Sequence, residues 1–160
     1  MTKWNPTQYE RFIKDRTQPA IDLANRLETL NPDNILDLGC GPGNSTKVLK
    51  DKYPNSHIIG ADNSEDMLKK AMELYPYIEF IKLDANGNLN EISDKFDIVF
   101  SNACIQWLPN HRELLPKLMT LLKPNGILAI QIPIQREHPV HIIICLLYTS
   151  PSPRDRSLSR

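Results

Sequence analysis

One stretch, Ile35-Leu36-Asp37-Leu38-Gly39-Cys40-Gly41-Pro42-Gly43-Asn44-Ser45-Thr46, constrains this chain more than any other. A short apolar run ends around an acid, three glycines alternate with other residues, and a helical pattern opens at once. That order describes a strand, a tight turn and a helix N-terminus, which together bring a ligand close to backbone N–H groups. Gly39, Gly41 and Gly43 can adopt backbone conformations closed to other residues and admit close ligand approach. A plain tight turn is the competing use. N–H groups opening the following helix suit an anionic group such as an amino-acid carboxylate. Asp37 either orients a ligand's ammonium or braces the loop. The spacing G-x-G-x-G departs from the dinucleotide fingerprint G-x-G-x-x-G, and Asn44 stands where a Walker loop needs lysine.

Before the glycine turn, Tyr9, Phe12 and Ile13 fall at helical spacing after Trp4-Asn5-Pro6. Thr17 can cap a second helix that tolerates Pro19 in its first turn and carries Ile21, Leu23, Ala24, Leu27 and Leu30 as its apolar stripe. Trp4, Tyr9 and Phe12 either pack this leading segment onto the rest or form a lid over a ligand. After the turn, the pattern predicts a strand over Ile35–Leu38 and a helix over Asn44–Lys52. His57–Ala61 is a second strand ending at Asp62. Ser64 caps a helix bearing Met67, Leu68, Ala71 and Leu74, and Pro76 stops it. Strands follow over Ile78–Leu83, Phe96–Ser101 and Ile127–Ile132. The helix before the last strand carries Leu114, Leu115, Leu118, Leu121 and Leu122, and Lys123-Pro-Asn-Gly126 closes it.

Strands alternating with helices imply right-handed crossovers and a mostly parallel α/β sheet with helices on both faces. Ligands of such sheets sit outside the carboxyl ends of the strands, at the switch in strand order. Asp37, Asp62, Asp84 and Asn102 fall at or beside those ends. Asp62 can accept both hydroxyls of a ribose, or it is a helix N-terminal acid stabilised by the dipole. Asp84, followed by Ala85, can accept from an adenine amino group or be an ordinary loop aspartate. Cys40 and Cys104 have no nearby histidine in a nucleophile signature, so packing is their expected role. His111 either starts a helix on the surface or binds substrate.

With 19 basic and 19 acidic side chains in 160 residues, no global field recruits nucleic acid or an anionic membrane. The longest apolar stretch, His141 to Tyr148, is far shorter than the roughly 20 residues a bilayer helix needs. The N-terminus lacks a signal-peptide pattern, and the three cysteines show neither a CxxC pair nor metal-ligand spacing. The expectation is a reduced, cytoplasmic protein with no metal. Residues 145–160 turn abruptly to a Ser/Pro/Arg-rich composition and resemble a library adaptor translated in one reading frame. A genuine disordered tail is the alternative.

The form Asp37-Leu-Gly-Cys-Gly-Pro-Gly43 resembles motif I of the class I S-adenosylmethionine (SAM) methyltransferases. Gly60-Ala61-Asp62, Asp84 and Leu122-Lys-Pro-Asn-Gly-Ile127 look like further landmarks of that superfamily. Other segments are similar to the trans-aconitate 2-methyltransferases: Trp4-Asn5-Pro6-x-x-Tyr9, Arg16-Thr17-x-Pro19, Asn102-Ala103-x-x-Gln106-Trp107-x-Pro109-x-His111 and Gln131-x-Pro133. The resemblance covers residues 3–133 in order, with a weaker match at Pro139-x-His141.

This resemblance implies a Rossmann-like fold and SAM-dependent esterification of a carboxylate on trans-aconitate or a related small polycarboxylic acid. It places Gly39, Cys40, Gly41, Gly43 and Asn44 beside the cofactor with Asp37, Asp62, Asn63, Asp84, Ala85 and Asn102. It gives Trp4, Tyr9, Arg16, Gln106, Trp107 and His111 to the substrate, with Arg16 the first choice for a carboxylate fork and Arg11 a weaker one. No residue is implied as a general base, because a carboxylate is already deprotonated at neutral pH. The implied organisation is a helical lid or substrate segment over 1–31, a SAM-binding core over 32–133, the start of a truncated C-terminal part over 134–144, and the adaptor-like tail. Two further strands of the family's sheet are then expected to be absent, and the full-length protein is expected to be a monomer. A related methyltransferase for another small or carrier-bound carboxylate, and an inactive SAM-binding module, stand as alternatives. A nicotinamide dehydrogenase is disfavoured by the glycine spacing and by the lack of a catalytic His/Arg set.

Overall fold

In a computed structural model of the chain, which describes residues 17–27, 31–87, 89 and 92–133, the apolar run before the glycine turn is the central strand of a parallel sheet. The strands are β1 (Asn34–Leu38), β2 (His57–Asp62), β3 (Glu79–Lys82), β4 (Phe96–Asn102) and β5 (Leu122–Gln131). Their order among the described residues is β3-β2-β1-β4-β5, and every pairing is parallel. The order reverses between β1 and β4, so the ligand crevice of an open α/β sheet falls outside their carboxyl ends. Residues 17–25 are helical (α1), and three further helices follow: α2 (Asn44–Lys52), α3 (Glu65–Leu74) and α4 (His111–Thr120).

The central strands are buried along nearly their whole length, as expected when helices cover both sheet faces. Alternation then divides β1. Leu36 and Leu38 pack with Ile59, Val99, Leu114 and Leu118, whereas Ile35 packs with Ala20, Ala24, Leu49, Ile58 and Phe100. Helix α4 therefore belongs to one face and helices α1 and α2 to the other. A third cluster sets α3 against the sheet through Leu68, Ala71 and Phe80, with Cys40 among them. At the opposite end of the sheet, one Asp97 oxygen accepts from Asp33 N–H (2.9 Å), Asn34 N–H (2.8 Å) and Lys123 Nζ (2.9 Å), pinning the starts of β1 and β4 together.

The predicted α2 coincides with the observed one, and Ser64 does cap α3, its hydroxyl accepting from Met67 N–H. Several details differ. Thr17 is already helical instead of capping α1, and the buried stripe runs through Ala20, Ala24 and Leu27. Met67 and Leu74 are exposed, because the face of α3 turned to the sheet is centred between Leu68 and Ala71. Leu115 is exposed on α4 for the same rotational reason. The helix ends before Leu122, which pairs with Phe96 while Ile127 pairs with Ile98. Residues 123–126 thus stand opposite the single residue Asp97 and bulge from β5, with Asn125 at φ +64°. Trp4, Tyr9, Arg11, Arg16 and Leu30, and the expected segments 134–144 and 145–160, lie outside the described residues.

Candidate functional site

The turn after β1 is held from below. Gly39 and Cys40 both donate their N–H to Ala61 O (2.8 and 3.1 Å), and Gly43 N–H donates to Cys40 O (3.0 Å). Gly39, Gly41 and Gly43 all take left-handed φ values, +75°, +54° and +88°. Space is short at Gly39, where an added Cβ would lie 2.2 Å from Cys104 Sγ, and absent of neighbours at Gly41, where nothing lies within 4 Å. Asp62 ties the turn to the next crossover. Its Oδ2 accepts from Gly41 N–H and its Oδ1 from Ser64 N–H, both at 2.9 Å. The acid at the end of β2 is therefore also a brace for the glycine turn.

Asp37 sits beneath the turn with 0% exposure. Its Oδ2 accepts from Ser45 Oγ (2.6 Å) and Thr46 Oγ1 (2.7 Å) at the start of α2, while Oδ1 has no partner. Burial pushes this carboxyl up to about 6 against the pull of the two hydroxyls, and nearby Asp62 adds to the rise. The same desolvation, reinforced by Asp37 and Asp62, pushes the Cys40 thiol far up, and burial followed by Asp62 raises Cys104 as well. Both sulfurs are thus held as protonated thiols, which suits packing and not nucleophilic attack.

The link from β4 to α4 makes the facing wall. Ala103 takes φ +53°, and its N–H donates to Gln131 O (2.8 Å). Gln106 Nε2 donates to Ala103 O (2.8 Å), and His111 Nε2 donates to Ile105 O (2.7 Å) across the start of α4. Between these walls lies an open cleft of about 280 Å³, lined by Leu38, Gly39, Asp62, Asn63, Leu83, Ala85, Ala103, Cys104, Trp107 and Leu108.

Five residues expected at the site line this cleft together: Gly39, Asp62, Asn63, Ala85 and Trp107. Asp37, Gly41, Gly43 and Asn44 support it from the turn and from the start of α2. Cys40 is turned into the α3 cluster. Asp84 is exposed outside the lining, and its Oδ1 accepts from Asn86 N–H (2.9 Å) in a local turn. Asn102, Gln106 and His111 also stand outside the lining; Asn102 Oδ1 and Gln106 Oε1 are buried without a partner, and His111 fastens the wall. Leu38, Leu83 and Leu108 were missed as lining, since an apolar strand end or loop residue carries no mark separating cleft from core. Ala103 was missed because alanine gives no sign of a positive φ. Among the described residues no group of three or more His, Cys, Asp or Glu side chains could hold a metal ion. No described helix is long and apolar enough to cross a membrane.

Known proteins agree with this geometry. The family described as "Methyltransferase domain" matches residues 35–126, more than half of the chain. A trans-aconitate 2-methyltransferase of Escherichia coli O157:H7 is 40% identical over 144 residues, covering 90% of this chain and 56% of the relative. The one of Variovorax paradoxus (strain S110) is 41% identical over 141 residues, covering 88% and 54%. The chain thus spans little more than half the length of the curated relatives it matches. SAM-bound CalS10, an amino pentose methyltransferase from Micromonospora echinaspora, superposes with a TM-score of 0.67 at 19% identity over 84% of this chain and 59% of its own. Streptomyces venezuelae DesVI does so with a TM-score of 0.65 at 22% identity, over 82% and 59%. With a parallel sheet that reverses at β1 and β4 and a glycine turn at that reversal, this chain belongs to the methyltransferase-domain family and has the Rossmann-like fold of the class I SAM methyltransferases.

Proposed function

We propose that the chain forms the SAM-binding part of a carboxyl O-methyltransferase whose acceptor is a small polycarboxylic acid, trans-aconitate foremost. The observation that carries the reading is the cleft beside Gly39 and Cys104, whose lining among the described residues holds one carboxylate, Asp62, and no Lys, Arg or His. Such a cleft favours a ligand that is cationic and partly apolar. SAM fits this description, with its sulfonium and ammonium, and when bound it supplies an already activated methyl group. The open space over Gly41 and the uncapped start of α2 leave room and N–H donors for its amino-acid carboxylate. Asp62 is assigned to the ribose hydroxyls, in addition to its two backbone bonds.

The acceptor side is assigned by charge. A tricarboxylate needs cationic partners that the described lining lacks, so Arg16, with Trp4 and Tyr9 of the 1–31 segment, is assigned to it. Its attacking carboxylate is ionised at neutral pH and needs no base. The protein's contribution is alignment of oxygen, methyl and sulfur with water excluded, a positioning effect worth up to ~7–11 kcal/mol in well-oriented systems. Small-molecule chemistry of this kind suits a cytoplasmic monomer, with 32–133 as cofactor core and 1–31 as acceptor segment.

Titration calorimetry with SAM and a radiolabelled methyl-transfer assay on trans-aconitate test the two halves separately. SAM binding with methyl ester formation supports the whole reading. SAM binding without transfer to trans-aconitate, when the assay is run on the full-length protein, overturns the acceptor and leaves the donor site. Asp62→Ala is expected to weaken SAM at least 100-fold, since it removes the ribose acceptor and frees the Gly41 N–H together. A melting curve shows whether the variant remains folded, and unchanged SAM affinity sinks the assignment of Asp62.

A further inference from the structure

We propose that the side-chain oxygens of Asn102 and Gln106 form a seat for the guanidinium of Arg16, and so position the cation that grips the acceptor acid. This rests on the acceptor reading above. Three buried side-chain oxygens lack a hydrogen-bond partner among the described residues, and two of them, Asn102 Oδ1 and Gln106 Oε1, stand on the link from β4 to α4. Buried acceptors are normally paired, because a bare one forfeits its hydration. Gln106 cannot relieve this by turning its amide over. Its Nε2 donates to Ala103 O (2.8 Å), and a carbonyl oxygen only accepts, so Oε1 stays the free atom. The same bond brings the Gln106 amide back to the carbonyl of the residue that follows Asn102.

Such a seat needs N–H donors. A carboxylate has none to give, so the acceptor acid cannot rest on these two oxygens directly. An arginine meets the need with one edge of its planar fork and keeps another edge for a carboxylate. The fold leads Arg16 to this place. Ile98 and Phe100 of β4 pack in the cluster that holds α1, and by strand alternation Asn102 stands on that same face. The trailing end of α1 is tied to the end of α2 remote from the glycine turn, where Lys52 Nζ donates to Ala24 O and Tyr53 Oη to Leu27 O (3.3 Å). Followed back to Thr17, the helix therefore climbs toward the carboxyl ends of the strands. Thr17 is about 4.5 Å of helical rise beyond Ala20, and Asn102 about 6.6 Å of strand beyond Phe100, with Ala20 and Phe100 in one cluster. Arg16 is the next residue.

The test uses the full-length protein, with melting curves to show that each variant remains folded. Exchange of the Arg16 Nε–H, assigned in isotope-labelled arginine spectra by its loss in Arg16→Lys, is expected to be at least about tenfold slower than in free arginine. Asn102→Leu and Gln106→Leu should each speed it. Gln106→Leu is expected to raise KM for trans-aconitate by about tenfold, more than KM for SAM, and to add nothing further in an Arg16→Ala background. Gln106→Glu keeps an oxygen for the guanidinium but loses the donor to Ala103 O, and should hold KM near the wild-type value. Equal rises in KM for Gln106→Leu and Gln106→Glu reduce Gln106 to a brace for the wall and overturn the seat. Free exchange at Arg16, or slowed exchange at Arg136 in its place, overturns it as well. A wild type that forms no ester of trans-aconitate overturns the acceptor reading instead, and slowed Arg16 exchange that is lost in Asn102→Leu then still upholds the seat.

Discussion

Gly39→Ala is expected to cost about 3–4 kcal/mol of stability and to abolish ligand binding in the cleft, while Gly41→Ala two residues on costs about 1 kcal/mol. Both positions have φ in the left-handed region, so both charge an L-residue a backbone strain of roughly 1–2 kcal/mol. Only Gly39 adds a collision. A Cβ there would sit 2.2 Å from Cys104 Sγ and 2.4 Å from Cys104 Cβ, whereas at Gly41 it meets nothing. Relief requires the turn or the Ala103–Leu108 wall to move, and the two define the cleft. Urea unfolding of the two single variants measures the contrast. The double variant Gly39→Ala/Cys104→Gly should recover the part due to the collision and leave the backbone strain. Equal losses for Gly39→Ala and Gly41→Ala would show that Cys104 does not press on the turn.

The same contrast shows what is legible in this sequence. Gly39, Gly41 and Gly43 look equivalent as letters, yet the partner that makes Gly39 irreplaceable lies more than sixty residues away. The alternation of strands and helices was readable because each element carries its own period: α2 and the Ser64 cap are local patterns. The floor of the site was readable for the same reason, since the glycine turn and Asp62 are strand-end features. The facing wall was not. Its shape depends on a positive φ at Ala103, on Gln106 bonding back to Ala103 O and on His111 reaching Ile105 O, none of which has a local signature. Asp84 has a strand-end position like that of Asp62, but its Oδ1 accepts from Asn86 N–H in a local turn and it stands outside the cleft lining. Periodicity fixes where strands end; the packing between their ends decides which side chains meet.

Asp37 should make the protein less stable as pH rises, opposite to the usual behaviour of a paired carboxylate. Its folded-state value of about 6 lies above its ordinary value of 3.8 because burial outweighs the hydroxyls of Ser45 and Thr46. Between those values the native state holds a proton that the unfolded chain releases, so the slope of unfolding free energy against pH is negative in that window. The cost is absent below about pH 4, grows through pH 6, and levels off near about 3 kcal/mol at neutral pH. Urea unfolding of wild type and Asp37→Asn from pH 4 to 7.5 isolates this contribution, because other titrating groups cancel in the difference. The wild type should lose about 3 kcal/mol relative to the amide variant across that range. Thr46→Ala should move the window to higher pH by removing a donor from the ionised form. Parallel pH profiles for wild type and Asp37→Asn would mean that the carboxylate is not desolvated in solution as its burial implies. The carboxylate that ionises towards neutral pH against that cost is a buried negative charge under the glycine turn.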